Sequence, residues 1–232
     1  MIKPLSYSHS RLETFEKCPK QFWHMNVIKD VPYIESDQMR QGKVVHKMFE
    51  DRVSKGAPFP TDYAAKFEPI AQAIIRRPGK KFTEMQLAYS WDRKPCGYRE
   101  WDKVACRIIV DVAIIDGRTA WLGDYKTGKR SFDEAQLKLS SLGGFLHWPD
   151  VDTIATAYIW TQHIGTKLAL DARTYTRDDI PAIWAEVEPK VDRLQEANRT
   201  GNWPARANKF CAWCAVNAKG KCAEAGAPPR RT

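Results

Sequence analysis

Hydrophobic positions change period several times along the chain, and each change marks an element. Behind Ser8 or Ser10, either of which can cap a helix, Leu12, Phe15, Phe22 and Met25 recur at about helical spacing. Cys18-Pro19 interrupts that run and predicts a kink or a break into two helices. Gln38 to Ser54 predicts a second helix, with Val44, Val45, Met48, Phe49 and Val53 as its apolar stripe. A short amphipathic helix follows from Tyr63 to Ile75, ended by Arg76-Arg77-Pro78-Gly79. Lys81 to Trp91 alternates as a strand, with Glu84 and Gln86 on its more polar face. Ser131 is an N-cap for a helix from about Phe132, which Gly143-Gly144 is expected to break early. Asp152–His163 and Leu168–Thr176, rich in β-branched and aromatic residues, read as strands. Asp178-Asp179 then caps a helix through about Asn198, its apolar face made of Ile183, Trp184, Val187, Val191 and Leu194. There is no internal repeat and no low-complexity tract apart from a short basic tail at 226–232.

Between these elements, Arg107 to Lys129 reads as two strands joined at Asp116-Gly117, a dipeptide suited to a hairpin turn. With that turn Ile115 pairs with Arg118, Asp111 with Leu122 and Ile109 with Asp124. A four-residue loop closed by Ile114 and Thr119 keeps the same register. Alternation then sends Asp111, Asp124 and Lys126 to one side. The other side carries Cys106, Ile108, Val110, Val112, Ile114, Trp121 and Tyr125, a core surface. Asp111 and Asp124 become diagonal neighbours roughly 7–8 Å apart at the backbone, near enough for their carboxylates to converge on one cation. Two acids so close repel unless a metal or Lys126 compensates them. A surface hairpin with solvated or salt-bridged charges is the plain alternative.

Composition narrows the classes. A chain of 232 residues suits one domain, or one domain with an appendage, and 43% hydrophobic residues suffice for a core. The excess of 37 basic over 28 acidic residues, a formal charge of +9, favours a polyanionic partner, nucleic acid ahead of membrane. No apolar run approaches the roughly 18 residues of a spanning helix, and the first residues lack the apolar region of a signal peptide, so a cytoplasmic protein is expected. There, six cysteines point to metal or cluster ligands or buried thiols rather than disulfides.

Several residues outside the hairpin invite chemistry. Gly42 and His46 lie one helical turn apart; the glycine lets the helix approach the sheet, and His46 either reaches the carboxylates as a neutral imidazole ligand or is an ordinary satisfied polar residue. Glu84, on the more polar face of its strand, reads by itself as a solvated residue. Asp92 to Lys103 interleaves Arg93, Lys94, Arg99 and Lys103 with Tyr98, Trp101 and the preceding Trp91, suited to phosphates and bases, or else an ordinary loop. Cys96 and Cys106 read as structural thiols. Cys211, Cys214 and Cys222, in a C-x2-C-x7-C pattern, form a metal-type constellation. No histidine follows His163, so the remote Cys18 is the best fourth ligand. Zinc held by four thiolates uses the same residues.

An Asp, twelve residues, then Asp-Tyr-Lys-Thr-Gly-Lys resembles the PD-(D/E)XK nuclease core, and most closely its RecB-type exonuclease branch. G-x-x-x-H at Gly42–His46 resembles that family's first motif, and S-x-S-R-L-x-x-F-x-x-C-P-x-x-F at Ser8–Phe22 its N-terminal signature. Gln136 begins a Q-L-x-L run like a family motif with a tyrosine four residues on, but position 140 is Ser. Cys18 with the C-terminal cysteines resembles the 4Fe–4S staple of AddB-type nucleases and of the CRISPR-adaptation exonucleases. The resemblance implies an α/β fold, a central mixed sheet flanked by helices, with an iron–sulfur lobe formed by both termini. It implies one nuclease domain over 1–232, its core about 38–200 and its cluster lobe about 8–30 plus 201–225. The implied function is a Mg²⁺- or Mn²⁺-dependent DNA exonuclease in recombination, repair or end processing. Its DNA would be single-stranded or duplex ends, with recombination or replication proteins as further partners; a structure-selective or site-specific endonuclease and a non-catalytic nucleic-acid-binding module are the alternatives. Asp111, Asp124, Lys126, Glu84 and Gln136 are the implied catalytic residues, and His46, Asp111, Asp124 and the Tyr125 carbonyl the metal ligands. Cys18, Cys211, Cys214 and Cys222 are the implied cluster ligands.

Overall fold

The structure, a computed structural model, describes residues 2–222; the basic tail at 226–232 lies outside them. Its helices are α1 (His9–Lys17), α2 (Pro19–Phe22), α3 (Asp37–Lys55), α4 (Thr61–Arg76), α5 (Glu134–His147), α6 (Ile180–Thr200) and α7 (Ala215–Ala218). Its strands are β1 (Lys80–Ser90), β2 (Val104–Asp116), β3 (Thr119–Lys126), β4 (Thr153–Trp160) and β5 (Leu170–Thr176). They belong to two compact units, residues 36–184 and residues 1–35 with 185–232. Among the described residues no helix is long and apolar enough to cross a membrane.

In the 36–184 unit the five strands form one mixed sheet in the order β1-β2-β3-β4-β5. Neighbours are antiparallel except β3 and β4, which run parallel and are joined through α5, the crossover that a parallel pair requires. The fold is α/β with a central mixed sheet flanked by helices. Below the sheet, Val45 and Phe49 of α3 and Phe67, Ala71 and Ile74 of α4 bury against Val112, Ile114, Tyr125 and Ile159. Each large apolar side chain so buried contributes about 2 kcal/mol. Val44, expected in the stripe of α3, is exposed instead.

The hairpin turn, the face of β2 and both ends of α5 differ from expectation. The hairpin turns at Gly117-Arg118, with Asp116 paired to Thr119, because the residue that takes positive φ (Gly117, 55°) occupies the first central position of the turn. Partners therefore move by two residues, Ile115 to Ala120 and Ala113 to Leu122, and every side chain keeps its face. Asp111 and Asp124 lie one step past the last pair, Val112 with Gly123.

The single core face expected along β2 divides. Val112 and Ile114 join α3 and α4, but Ile108 lies where a Cβ on Gly143 of α5 would touch it. Glu84 of β1, beside Asp111 between the pairs Thr83–Val112 and Met85–Val110, has φ of 48°, a left-handed conformation uncommon outside glycine.

Gly143-Gly144 does not end α5, which runs on to His147. A Cβ at either position would collide, with Ile108 at 2.5 Å or with Ile154 at 2.7 Å, so the glycines let the helix lie close to the sheet. Its cap is Asp133, whose side chain accepts from the Ala135 N–H, rather than Ser131.

In the other unit Ser8 caps α1, accepting from the Arg11 N–H, and extended Cys18 separates it from α2, where Pro19 occupies a first-turn position. The two ends of the chain hold one another here. Gln195 exchanges two hydrogen bonds with the Leu5 backbone, Arg193 pairs with Glu16, and Trp203 stacks on Phe22 at 6.0 Å.

Candidate active site

Asp111 and Asp124, on adjacent strands, do different work. Asp111 is buried, and its Oδ2 accepts the Tyr125 N–H at 2.7 Å. The same oxygen lies 3.3 Å from His46 Nδ1. His46 reaches it because α3 comes close at Gly42, where a Cβ would stand 3.0 Å from Thr127 Oγ1. His46, Glu84 and Asp111 bring one ligand atom each within 4.8 Å of one another.

Asp124 stands in a closed triangle. Its Oδ1 accepts from Gln136 Nε2 at 2.6 Å, and Gln136 Oε1 accepts from Lys126 Nζ at 2.8 Å. Lys126 Nζ returns to Asp124 Oδ2 at 2.8 Å, an ion pair whose angles leave that buried oxygen without a proper hydrogen bond. Tyr158 completes the frame: its hydroxyl donates to the Asp133 carbonyl at 2.6 Å and approaches Gln136 Oε1 at 3.1 Å, and Lys126 Nζ lies 4.7 Å from its ring centre.

The electrostatics follow from burial and crowding. Burial, and then the charge of Asp111, push the Asp124 carboxyl up, against the pull of Lys126 and His46. Burial and Asp111 also raise Glu84. Burial draws the His46 imidazole down, but Asp111, Asp124 and the Tyr125 carbonyl outweigh it, so the net shift is upward. Three carboxyls crowd one imidazole and one ammonium, which is a donor set for a divalent cation with oxygen and imidazole ligands. The deficient Asp124 oxygen and the tight His46–Glu84–Asp111 group both fit such an ion.

All the residues singled out around the hairpin come together here: His46, Glu84, Asp111, Asp124, Tyr125 through its backbone, Lys126 and Gln136. The Tyr125 side chain points the other way and stacks on Phe49 at 4.2 Å. Tyr158 escaped the sequence reading; its only signal was a place in step with Ile154 along an alternating strand. The Asp92–Lys103 segment is more self-contained than its composition suggested. Lys94 pairs with Asp92, Lys103 with Glu100, and the Arg107 guanidinium covers the Trp101 ring at 4.1 Å.

The second constellation lies in the 1–35 and 185–232 unit. Cys18, Cys211, Cys214 and Cys222 line one cavity of about 130 Å³, with Arg206, Phe210 and Trp213 among its walls. Backbone N–H groups already point at two of the sulfurs, Arg206 to Cys18 Sγ at 3.4 Å and Asn208 to Cys211 Sγ at 3.3 Å. Such donors support thiolate ligands. Cys106 is fully buried and its thiol is pushed up to about 12, and burial raises Cys96 too, so neither behaves as a ligand in waiting.

The sequence pattern of the PD-(D/E)XK nuclease superfamily matches residues 6–218. No curated protein matches the chain. Among solved structures, a protein of Eubacterium rectale described as "Putative exonuclease" is similar at 13% identity, over 91% of this chain and 88% of that one, with a TM-score of 0.51. A protein named SSO0001 is similar at 14% identity, over 97% and 88%, with a TM-score of 0.43. At 13% identity the likeness to the Eubacterium rectale protein is one of fold.

Proposed function

The chain belongs to the PD-(D/E)XK nuclease superfamily, and on that premise we propose that it is a DNA exonuclease that hydrolyses phosphodiester bonds with Mg²⁺ or Mn²⁺. The observation that carries the reading is the Asp124–Lys126–Gln136 triangle standing beside the His46–Glu84–Asp111 group. His46, Glu84 and Asp111 would hold the ion, with Asp124 and the Tyr125 carbonyl adjoining. When bound, the ion lowers the pKa of a water and offsets negative charge on the phosphoryl oxygens.

The chain's own groups do the rest. Lys126, held by both Asp124 and Gln136, keeps its ammonium where the attacking water must be oriented and where charge develops. Gln136 fixes Lys126 and Asp124 relative to each other, so neither has to reorganise during the reaction. Asp111 is steadied by the Tyr125 N–H and presents its carboxylate with one orientation. The formal charge of +9 draws the polyanionic substrate.

Cys18, Cys211, Cys214 and Cys222 would hold a 4Fe–4S cluster joining the two ends of the chain. The four sulfurs line one cavity, and zinc held by four thiolates would use the same residues. A role in recombination, repair or end processing accords with this chemistry.

Incubation of end-labelled single- and double-stranded DNA with Mg²⁺ or Mn²⁺ tests the reading. Release of short products from an end, with a closed circle left intact, is the expected outcome. Cleavage of the circle would move the assignment to an endonuclease, and no cleavage of any substrate would remove it.

A further inference from the structure

One side of the candidate active site continues into an exposed aromatic and cationic surface that the chemistry above does not use. Phe132, in the segment between β3 and α5, is 39% exposed although it is a large apolar ring. It meets the Tyr158 ring edge-on at 6.0 Å, and Tyr158 is the ring against which Lys126 lies. The Arg173 guanidinium sits over Phe132 at 4.5 Å from its centre. Lys126, Tyr158, Phe132 and Arg173 are thus an unbroken line from the candidate catalytic ammonium to solvent.

Sheet register explains the line. Asp124 pairs with Tyr158, and Tyr158 pairs with Asp171 of the edge strand β5, so the three side chains form one row. Arg173 follows Asp171 by two residues on the same face. Asp171 in turn holds Arg130 and accepts from Trp160 Nε1 at 2.8 Å. Exposed Lys129 stands next to Arg130 in the chain. Cations therefore flank a solvent-facing ring beside the place where a phosphate would be cut.

We propose that the Phe132–Arg173 pair receives an unpaired base next to the scissile phosphate, so that this site takes a single-stranded stretch of DNA. Aromatic and guanidinium faces both stack on nucleobases, and any base offers a π-face, so the platform tolerates sequence. Inside a duplex those faces are covered by neighbouring pairs. Lys129 and Arg130 supply charge for the adjoining phosphates. The proposal rests on the nuclease reading of the neighbouring site and names the form of DNA that enters it.

The test uses the full-length protein in EDTA with single-stranded oligonucleotides carrying 2-aminopurine at successive positions. In the parent, fluorescence is quenched at a particular position, and Phe132→Leu loses the quench and binds single strands roughly tenfold more weakly. Phe132→Tyr, which keeps a stacking face, retains both, and binding to an internal duplex without ends is unchanged in every variant. An unaltered quench and affinity in Phe132→Leu would overturn the proposal. So would equal losses in Phe132→Leu and Phe132→Tyr, or an equal loss on internal duplex, since each makes the ring a packing element. Cleavage is read separately with Mg²⁺ in the parent: a quenched base without cleavage removes the nuclease reading and leaves the platform standing.

Discussion

Gln136 Oε1 accepts a hydrogen bond from Lys126 Nζ at 2.8 Å, while the Nε2 of the same amide donates to Asp124 at 2.6 Å. One amide therefore sets the spacing between an acid and a base that alternation alone leaves merely on the same side. The Tyr158 hydroxyl, near Oε1 at 3.1 Å, favours that orientation of the amide.

Gln136→Ala should free Lys126 and lower kcat by about tenfold, the rate equivalent of losing one positioning hydrogen bond of about 1.4 kcal/mol. Tyr158→Phe, which keeps the ring beneath Lys126, should lower it a few-fold. In both, KM and the affinity for DNA should hold, because phosphate contacts elsewhere supply most of the binding. A loss confined to KM would assign Gln136 to substrate binding instead.

Asp124 carries a second cost besides catalysis. Its folded carboxyl titrates above the unfolded value because of burial and of Asp111. Between those two values the folded state binds more protons, so stability falls as pH rises through that window and stays reduced above it. Asp124→Asn should abolish cleavage yet raise the melting temperature of the metal-free protein at neutral pH, and flatten its acid-side slope. Melting curves from pH 4 to pH 8 in EDTA check this, and a lower Tm for the variant at pH 7 would contradict it.

The Tyr125 hydroxyl is buried and has no hydrogen-bond partner. Tyr125→Phe removes that unsatisfied group and keeps the stack on Phe49, so stability should rise by about 1 kcal/mol. Cleavage should persist, because the substitution keeps the ring beside His46 and it is the Tyr125 backbone that bonds Asp111. Urea unfolding and an end-labelled DNA assay measure the two effects, and loss of activity would give the side chain a role in the site.

For the cysteine cavity, anaerobically purified protein should be brown and contain about four irons per chain. Cys18→Ser should lose iron and destabilise the 1–35 and 185–232 unit, since its thiol closes a loop of nearly the whole chain. Cys96→Ser and Cys106→Ser should retain iron. Stoichiometric zinc in its place would favour a four-thiolate zinc site, and protein with neither metal would dismiss both.

By itself the sequence determined what depends on local period and spacing. Asp111, Asp124 and Lys126 reach one side of a hairpin because side chains alternate. That parity survives the move of the turn from Asp116-Gly117 to Gly117-Arg118. Cys18-Pro19 breaks a helix locally, and the close spacing of Cys211, Cys214 and Cys222 is a property of the chain. Only the tertiary structure decided which distant residues complete these groups. Tyr158 reaches Lys126 through the parallel pairing of β3 with β4, created when α5 crosses the sheet, and no local period encodes that register. Glu84 joins His46 and Asp111 from a left-handed backbone position that its own propensity disfavours. Helix α5 survives Gly143-Gly144, at a propensity cost of about 1 kcal/mol per glycine, because the missing Cβ atoms let it settle against Ile108 and Ile154. In each case contacts between residues remote in sequence outweighed the local preference, and that is where the candidate site acquired its final geometry.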